Sequence, residues 1–248
     1  MEPQPPPVFS VEPPGARGPR TAGLGPYRNT LFSMLFMIAV FAWLIGNWEV
    51  AAGVVVLLFV HEMGHVVAAL VFGIPISAPI FIPFVGATII MRQNPRDAVV
   101  EAIMAYAGPL AGGVGSWICL LIAQSTGQLW LAFVALYSFQ LNLFNLLPVP
   151  PLDGGRVCAA VSRWFWLPGL LVLAAAMLFF HAWQFLLIGT LILFSAFQRI
   201  KDDMRHREQM RPYYRISWWT RLLVALFYIG LIGVLLVGLA ESSAVTSS

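Results

Sequence analysis

Charged side chains are scarce in this sequence. Asp, Glu, Lys and Arg together make up 10% of the 248 residues, whereas soluble domains average about 25%. Hydrophobic residues supply 59%, and the mean hydropathy is +0.81. This composition excludes an ordinary soluble globule and a disordered protein, and it indicates a protein that lies in a membrane.

Cysteine and net charge are also low. The two cysteines, Cys119 and Cys158, are too few for the disulfide framework of a small secreted domain. The net charge of +3 comes from 14 basic and 11 acidic residues, which is too small an excess to indicate a nucleic acid partner. The positions of the basic residues are more informative than their number.

Long apolar runs are abundant. A helix that crosses the hydrocarbon core needs about 20 mostly apolar residues. We therefore predict an all-α polytopic membrane protein with about seven transmembrane helices, at 31–47, 50–72, 101–124, 129–147, 167–180, 183–198 and 222–240. Six spans result if 167–197 is one long helix.

The basic residues favour seven spans. With the N-terminus in the cytoplasm, all 14 Lys and Arg residues fall in the cytoplasmic segments 1–30, 73–100, 148–166 and 199–221, as the positive-inside rule requires. One helix over 167–197 would move the densest basic cluster to the other side. We predict a multi-pass protein of the cell (plasma or inner) membrane with a helical hairpin turning near His181.

Residues 73–92 differ from the predicted helices around them. Pro75, Pro79 and Pro83 interrupt any continuous helix, and the following FVGATIIM is rich in β-branched residues. We predict a membrane-embedded loop that contains a β-strand. Because irregular backbone at membrane depth must be buried in protein or line a wet cavity, a functional site is expected nearby.

Three ionisable residues, His61, Glu62 and His65, lie within an otherwise apolar helix. Residues four apart project from one helical face, so the two imidazoles can hold one Zn²⁺. Glu62 lies about 100° around the helix, where it can act as a general base. Ordinary packing explains the cluster poorly, because each unpaired ionisable group at mid-membrane costs at least about 2.5–3.5 kcal/mol.

A catalytic zinc site needs a third protein ligand. The membrane-adjacent candidates are Glu49, Asp97, Glu101, Asp153 and His181. Asp153 is favoured, because prolines before it end a helix and Gly154 and Gly155 after it allow close backbone approach. The alternative for Asp153 is a helix N-cap, a role compatible with metal binding. His181 is predicted on the opposite side of the membrane.

Two motifs resemble those of the site-2 protease family of intramembrane zinc metalloproteases. They are His61-Glu62-Met63-Gly64-His65 and the run from Asn145 to Gly155, NLLPVPPLDGG. Ala107-Gly108-Pro109 is similar to the family's small-residue motif on the helix between them. The resemblance covers 50–165, and it implies a three-helix catalytic core.

The resemblance also implies roles for single residues. His61, His65 and Asp153 would bind one zinc per chain, and Glu62 would be the catalytic base. Asn145 would bind substrate or stabilise the oxyanion, while Asn142, one turn earlier, is an open candidate for a helper. Gly108 and Gly112, four residues apart, predict close helix packing with only an indirect effect on the metal.

The predicted organisation has four parts. Residues 1–28 form a disordered, Pro-rich cytoplasmic arm, and 29–49 an N-terminal transmembrane helix. Residues 50–165 form the catalytic metalloprotease core. Residues 166–248 supply C-terminal transmembrane helices with a basic cytoplasmic loop at 199–221.

The predicted function is regulated intramembrane proteolysis by a zinc metalloendopeptidase. Its partners are a transmembrane protein substrate and the lipid bilayer, with no nucleic acid, and a regulatory membrane partner is compatible with the sequence. The strand near 85–91 is expected to pair with the substrate backbone. A metal-ion transporter, a catalytically silent scaffold and a zinc hydrolase acting on another bond remain as alternatives.

Overall fold

The computed structural model describes residues 25–83, 86–88, 91, 93–180, 183–205, 208 and 211–247. Within these residues the chain is mainly helical. The helices are α1 (Gly25–Ile45), α2 (Trp48–Val71), α3 (Ala98–Thr126), α4 (Leu129–Asn145), α5 (Asp153–Val161), α6 (Trp166–Phe180), α7 (Trp183–Arg205) and α8 (Trp218–Ser247). Two short strands, β1 (Ile80–Ile82) and β2 (Gly86–Thr88), and a 3₁₀ turn at Arg163–Phe165 complete the described structure.

Within the described residues, four helices, α1, α2, α3 and α8, are long and apolar enough to cross a membrane. Helix α4 is also apolar but has 17 residues, slightly fewer than the usual span. The prediction of an all-α membrane protein is confirmed at this level. The number of spans stays a prediction.

Two predicted boundaries are wrong. Helix α1 begins at Gly25, so residues 25–28 are helical and do not belong to a disordered arm; Pro26 is tolerated because it lies in the first turn. Helix α7 continues to Arg205, so the first part of the predicted loop 199–221 is helical. No glycine or proline interrupts that stretch, and a helix does not have to end where it leaves the bilayer.

Helices α6 and α7 pack against each other. Leu173 of α6 and Ile192 and Ala196 of α7 form a buried cluster with Val149. Two helices thus occupy the segment for which a hairpin was predicted. The predicted turn at His181 lies outside the described residues, as does the arm before Gly25.

The centre of the fold is a three-helix unit in which α2, α3 and α4 contact one another. Helices α2 and α3 approach closely at Gly64, where an added Cβ would lie 2.2 Å from the carbonyl oxygen of Ala107. Helix α8 packs on α3 and α4, and α1 packs on α2. The short helix α5 lies against α3, and this contact places the start of α5 inside the helical unit.

Strands β1 and β2 form an antiparallel hairpin between α2 and α3 in the chain. Its register pairs Ile80 with Thr88 and Ile82 with Gly86. Helix α1 covers the outer edge of β1, since the Phe81 amide donates a hydrogen bond to the Ser33 hydroxyl at 3.1 Å and the Thr30 hydroxyl donates to Pro79 O at 2.7 Å.

The segment 211–217 is held against the ends of α3 and α5. Tyr213 donates its hydroxyl to Glu101 at 2.7 Å. Burial, with the Glu101 carboxylate beside it, raises the pKa of Tyr213 above its usual value, so the phenol remains a donor at neutral pH. Arg221 of α8 donates hydrogen bonds to Ala160 O at 3.2 Å, to Val161 O and to Tyr214 O at 3.0 Å, which ties α8 to the end of α5.

Candidate metal centre

Three side chains from α2 and α5 converge on one point inside the helical unit. Asp153 Oδ2 lies 3.2 Å from His61 Nε2 and 3.3 Å from His65 Nε2, and the two Nε2 atoms are 3.2 Å apart. The His61 side chain is 3% exposed and that of Asp153 13%. The structure therefore brings together the three residues that the sequence predicts as metal ligands.

The turn between α4 and α5 delivers Asp153. An added Cβ at Gly154 would lie 2.1 Å from Leu146 O, and one at Gly155 would lie 2.5 Å from Pro150 N, so α5 starts against the backbone of the turn. Leu152 is the N-cap of α5 and Asp153 is its first helical residue. The N-cap alternative for Asp153 is wrong, because its carboxylate turns toward α2.

The two histidines are oriented by their other ring nitrogens. His65 Nδ1 lies 2.8 Å from Met104 O, and His61 Nδ1 lies 2.9 Å from Asn142 Oδ1. Carbonyl oxygens only accept hydrogen bonds, so each Nδ1 carries the proton and donates. Each Nε2 then faces the other Nε2 and Asp153, and in the neutral imidazole it is the ring nitrogen that can bind a metal.

This donor set suits a metal cation. Two Nε2 atoms and a carboxylate oxygen face one another at 3.2–3.3 Å, so a cation bound among them would be shared by three donor atoms. Two imidazoles and one carboxylate are a set found in catalytic zinc sites with an open fourth position. Among the described residues, this is a cluster able to hold a metal ion.

Helix α3 contributes space instead of a ligand. An added Cβ at Gly108 would lie 2.3 Å from His65 Nε2 and 2.9 Å from His61 Nε2, and one at Gly112 would lie 2.4 Å from Asn142 Oδ1. The expectation of an indirect effect is wrong for Gly108, which lies directly against both imidazoles, whereas Gly112 reaches the site only through Asn142.

Glu62 is buried beside the cluster at 6% exposure. It interacts electrostatically with His65, His61, Asp153 and Arg156.

The other acidic candidates that the structure describes lie elsewhere. Glu49 is exposed. Asp97 caps α3 by accepting a hydrogen bond from the Val100 amide at 2.9 Å, and Glu101 accepts one from the Tyr213 hydroxyl. His181 is outside the described residues.

The two asparagines of α4 differ in their contacts. Asn145 is the half-buried last residue of α4, while Asn142 is 3% exposed and makes the contact to His61. Motif matching favoured Asn145. The available signal for Asn142 was its position as a polar residue inside an apolar helix, one turn before Asn145 and on the same face.

Comparison with known proteins gives a family assignment. The model of peptidase family M50 matches residues 49–129 and 121–167, the region that contains the convergent side chains. The chain belongs to the site-2 protease family. Membership implies a metal, and with the apolar helices it makes the chain an integral membrane protein.

Two curated proteins show how far the similarity extends. A zinc metalloprotease of Methanocaldococcus jannaschii is 30% identical over 138 residues, covering 52% of this chain and 40% of the relative. Stage IV sporulation protein FB of Bacillus subtilis is 28% identical over 129 residues, covering 50% of this chain and 43% of the relative. The match thus spans about two fifths of each relative's length.

Proposed function

We propose that the chain is an intramembrane zinc metalloprotease that hydrolyses peptide bonds of membrane-embedded protein substrates. The observation that carries this proposal is the convergence of His61 Nε2, His65 Nε2 and Asp153 Oδ2 at 3.2–3.3 Å beside the buried Glu62. The M50 match and a relative named as a zinc metalloprotease support it.

One zinc per chain would be held by His61, His65 and Asp153. Zinc supplies a Lewis acid that activates water and polarises the scissile carbonyl. The surrounding helices supply a dry, low-dielectric environment, since His61 and Glu62 are 3% and 6% exposed. In such surroundings, charges that develop during the reaction interact more strongly than they do in water.

Glu62 would move the protons. As a general base it accepts a proton from the attacking water, and as a general acid it then donates that proton to the leaving amine. The Asn145 side-chain amide is a hydrogen-bond donor at the end of α4. Its proposed work is to donate to substrate or to the oxyanion of the tetrahedral intermediate.

A transmembrane substrate must be unwound before it is cut, because the carbonyl groups of a helix already accept hydrogen bonds. The β1–β2 hairpin provides strand backbone next to α2. Since α1 covers the outer edge of β1, we propose that an extended substrate segment pairs with β2 by β-augmentation. The lipid bilayer is the second proposed partner, and the sequence is compatible with a regulatory membrane protein as a third.

The decisive test of the enzyme is Glu62→Gln. The amide keeps the size of Glu62 and removes its basicity, and general acid–base catalysis contributes about 10²–10⁴-fold. We expect zinc content near wild type, a large loss of cleavage of a membrane-spanning reporter, and accumulation of trapped membrane proteins that proteomics can identify.

Each alternative departs from the protease in at least one of these measurements, made on the wild type and the variant. A transporter that uses Glu62 in its ion path would lose metal binding or flux. A silent scaffold would cleave no reporter even as the wild type, and a hydrolase of another bond would leave peptide reporters intact. Cleavage by Glu62→Gln at the wild-type rate would refute the proposed mechanism.

Asn145→Ala is the companion variant. A neutral amide is a poor zinc ligand, so the zinc content measured by elemental analysis should remain at the wild-type level. Reporter turnover or substrate binding should fall, because the donor to the oxyanion or substrate is gone. Loss of zinc together with activity would show instead that Asn145 supports the metal.

A further inference from the structure

A chain of buried polar groups leads away from His61 through α4 to α3. Asn142, Ser138 and Ser116 are 3%, 2% and 0% exposed. Asn142 Nδ2 donates to Ser138 O at 2.8 Å, and the Ser116 hydroxyl lies 2.7 Å from both Ser138 Oγ and Gly112 O. Buried polar groups in a membrane helix are expensive unless they are hydrogen-bonded, and these bonds satisfy them.

The hydrogen bonds determine which way the Asn142 amide faces. Ser138 O is a backbone carbonyl and only accepts, so the Asn142 NH₂ group must face it and Oδ1 must face His61. An amide oxygen also only accepts, which places the His61 proton on Nδ1. Nε2, the other ring nitrogen, faces Asp153 Oδ2 and His65 Nε2, where the neutral imidazole can offer its lone pair to a metal.

The amide is also confined sterically. An added Cβ at Gly112 would lie 2.4 Å from Asn142 Oδ1 and 2.8 Å from Nδ2, so α3 packs directly on the group and leaves it little room to rotate. His65 is oriented by the Met104 backbone carbonyl, which no side-chain substitution removes. The orientation of His61 thus depends on one replaceable side chain.

We infer that Asn142 is a positioning residue for the metal, whose amide oxygen holds His61 in the tautomer and orientation that present Nε2 as a ligand. The inference rests on the zinc site proposed above. A ligating histidine generally donates its other ring N–H to a carboxylate, carbonyl or water, and loss of that partner lowers metal affinity about 10–100-fold. The competing explanation is that Asn142 only joins α4 to α2.

The test compares Asn142→Leu with Asn142→Asp in the purified full chain, using zinc affinity measured by competition with a chelator. Leucine keeps the approximate size of Asn142 and removes the acceptor, so affinity should fall about 10–100-fold. Aspartate keeps an oxygen acceptor for the His61 N–H, so affinity should equal or exceed wild type. Ser116→Ala is the matched control and should leave affinity unchanged, because Ser138 O still holds the amide.

The outcomes separate the two proposals. A wild-type chain that binds zinc no better than His61→Ala overturns the zinc site and this inference with it. A wild-type chain that binds zinc, with an Asn142→Leu variant that binds equally tightly, overturns only the inference. An equal loss in the Leu and Asp variants assigns Asn142 to helix packing and also overturns it.

A second measurement needs no variant at position 142. Nitrogen-15 NMR of the zinc-loaded wild-type chain distinguishes the two ring nitrogens of His61, whose signals are assigned by their loss in His61→Gln. Metal on Nε2 with a proton on Nδ1 supports the inference. Metal on Nδ1 overturns it, even if Asn142→Leu fails to fold.

Discussion

At the scale of single residues, Gly108 is the position where the least added volume should have the largest effect. Its missing Cβ leaves room for the imidazoles of His65 and His61, at 2.3 and 2.9 Å from where a methyl group would lie. Gly108→Ala should therefore displace both rings and lower zinc affinity at least about 10-fold, measured by chelator competition. Helix propensity changes folding stability in the opposite direction, since Ala favours a helix by about 1 kcal/mol over Gly.

Gly113→Ala is the matched control on the same helix. Its added methyl would lie 2.7 Å from the end of the Leu235 side chain, which is flexible. It would not approach either imidazole. It should bind zinc like the wild type while sharing the gain in helix propensity. Equal zinc affinity in the Gly108 and Gly113 variants would show that α3 does not shape the metal site.

At the scale of elements, Arg221 joins α8 to the C-terminal end of α5, the helix that begins with Asp153. Its guanidinium donates to the carbonyl oxygens of Ala160, Val161 and Tyr214. Arg221→Met should lower the free energy of unfolding by about 1–3 kcal/mol, because part-buried carbonyl groups lose charged donors. The check is thermal unfolding in detergent. Arg215→Met is the control, since Arg215 is exposed in the preceding segment 211–217, and an equal shift in both variants would contradict the role given to Arg221.

At the scale of the whole molecule, the prediction is topology. All 14 basic residues lie on one side of the membrane only if α6 and α7 form a hairpin across it. Single cysteines placed at 181 and 205, with Cys119 and Cys158 replaced, should react with impermeant reagent from opposite sides. Labelling of both from one side would refute the seven-span model and leave the α2–α4 unit intact.

The extent to which the structure follows from sequence differs between elements. The helices α2, α3 and α4 were predicted within about three residues of their observed ends, because apolar runs, glycines and prolines are local signals. The helical stretches at 25–28 and 199–205 were missed, since the prediction took polar residues as the ends of helices. The register of β1 with β2 has no comparable local signal, because it depends on partners across a loop.

The sequence by itself determined that the chain lies in a membrane and that His61 and His65 share a helical face, because composition and the period of 3.6 residues are local properties. Only the tertiary structure decided that Asp153 reaches both histidines, since this depends on how the turn before α5 packs on α3. It also decided that Asn142, and not Asn145, contacts His61. Both asparagines lie near one face of α4, and the packing of that helix on α2 and α3 selects between them.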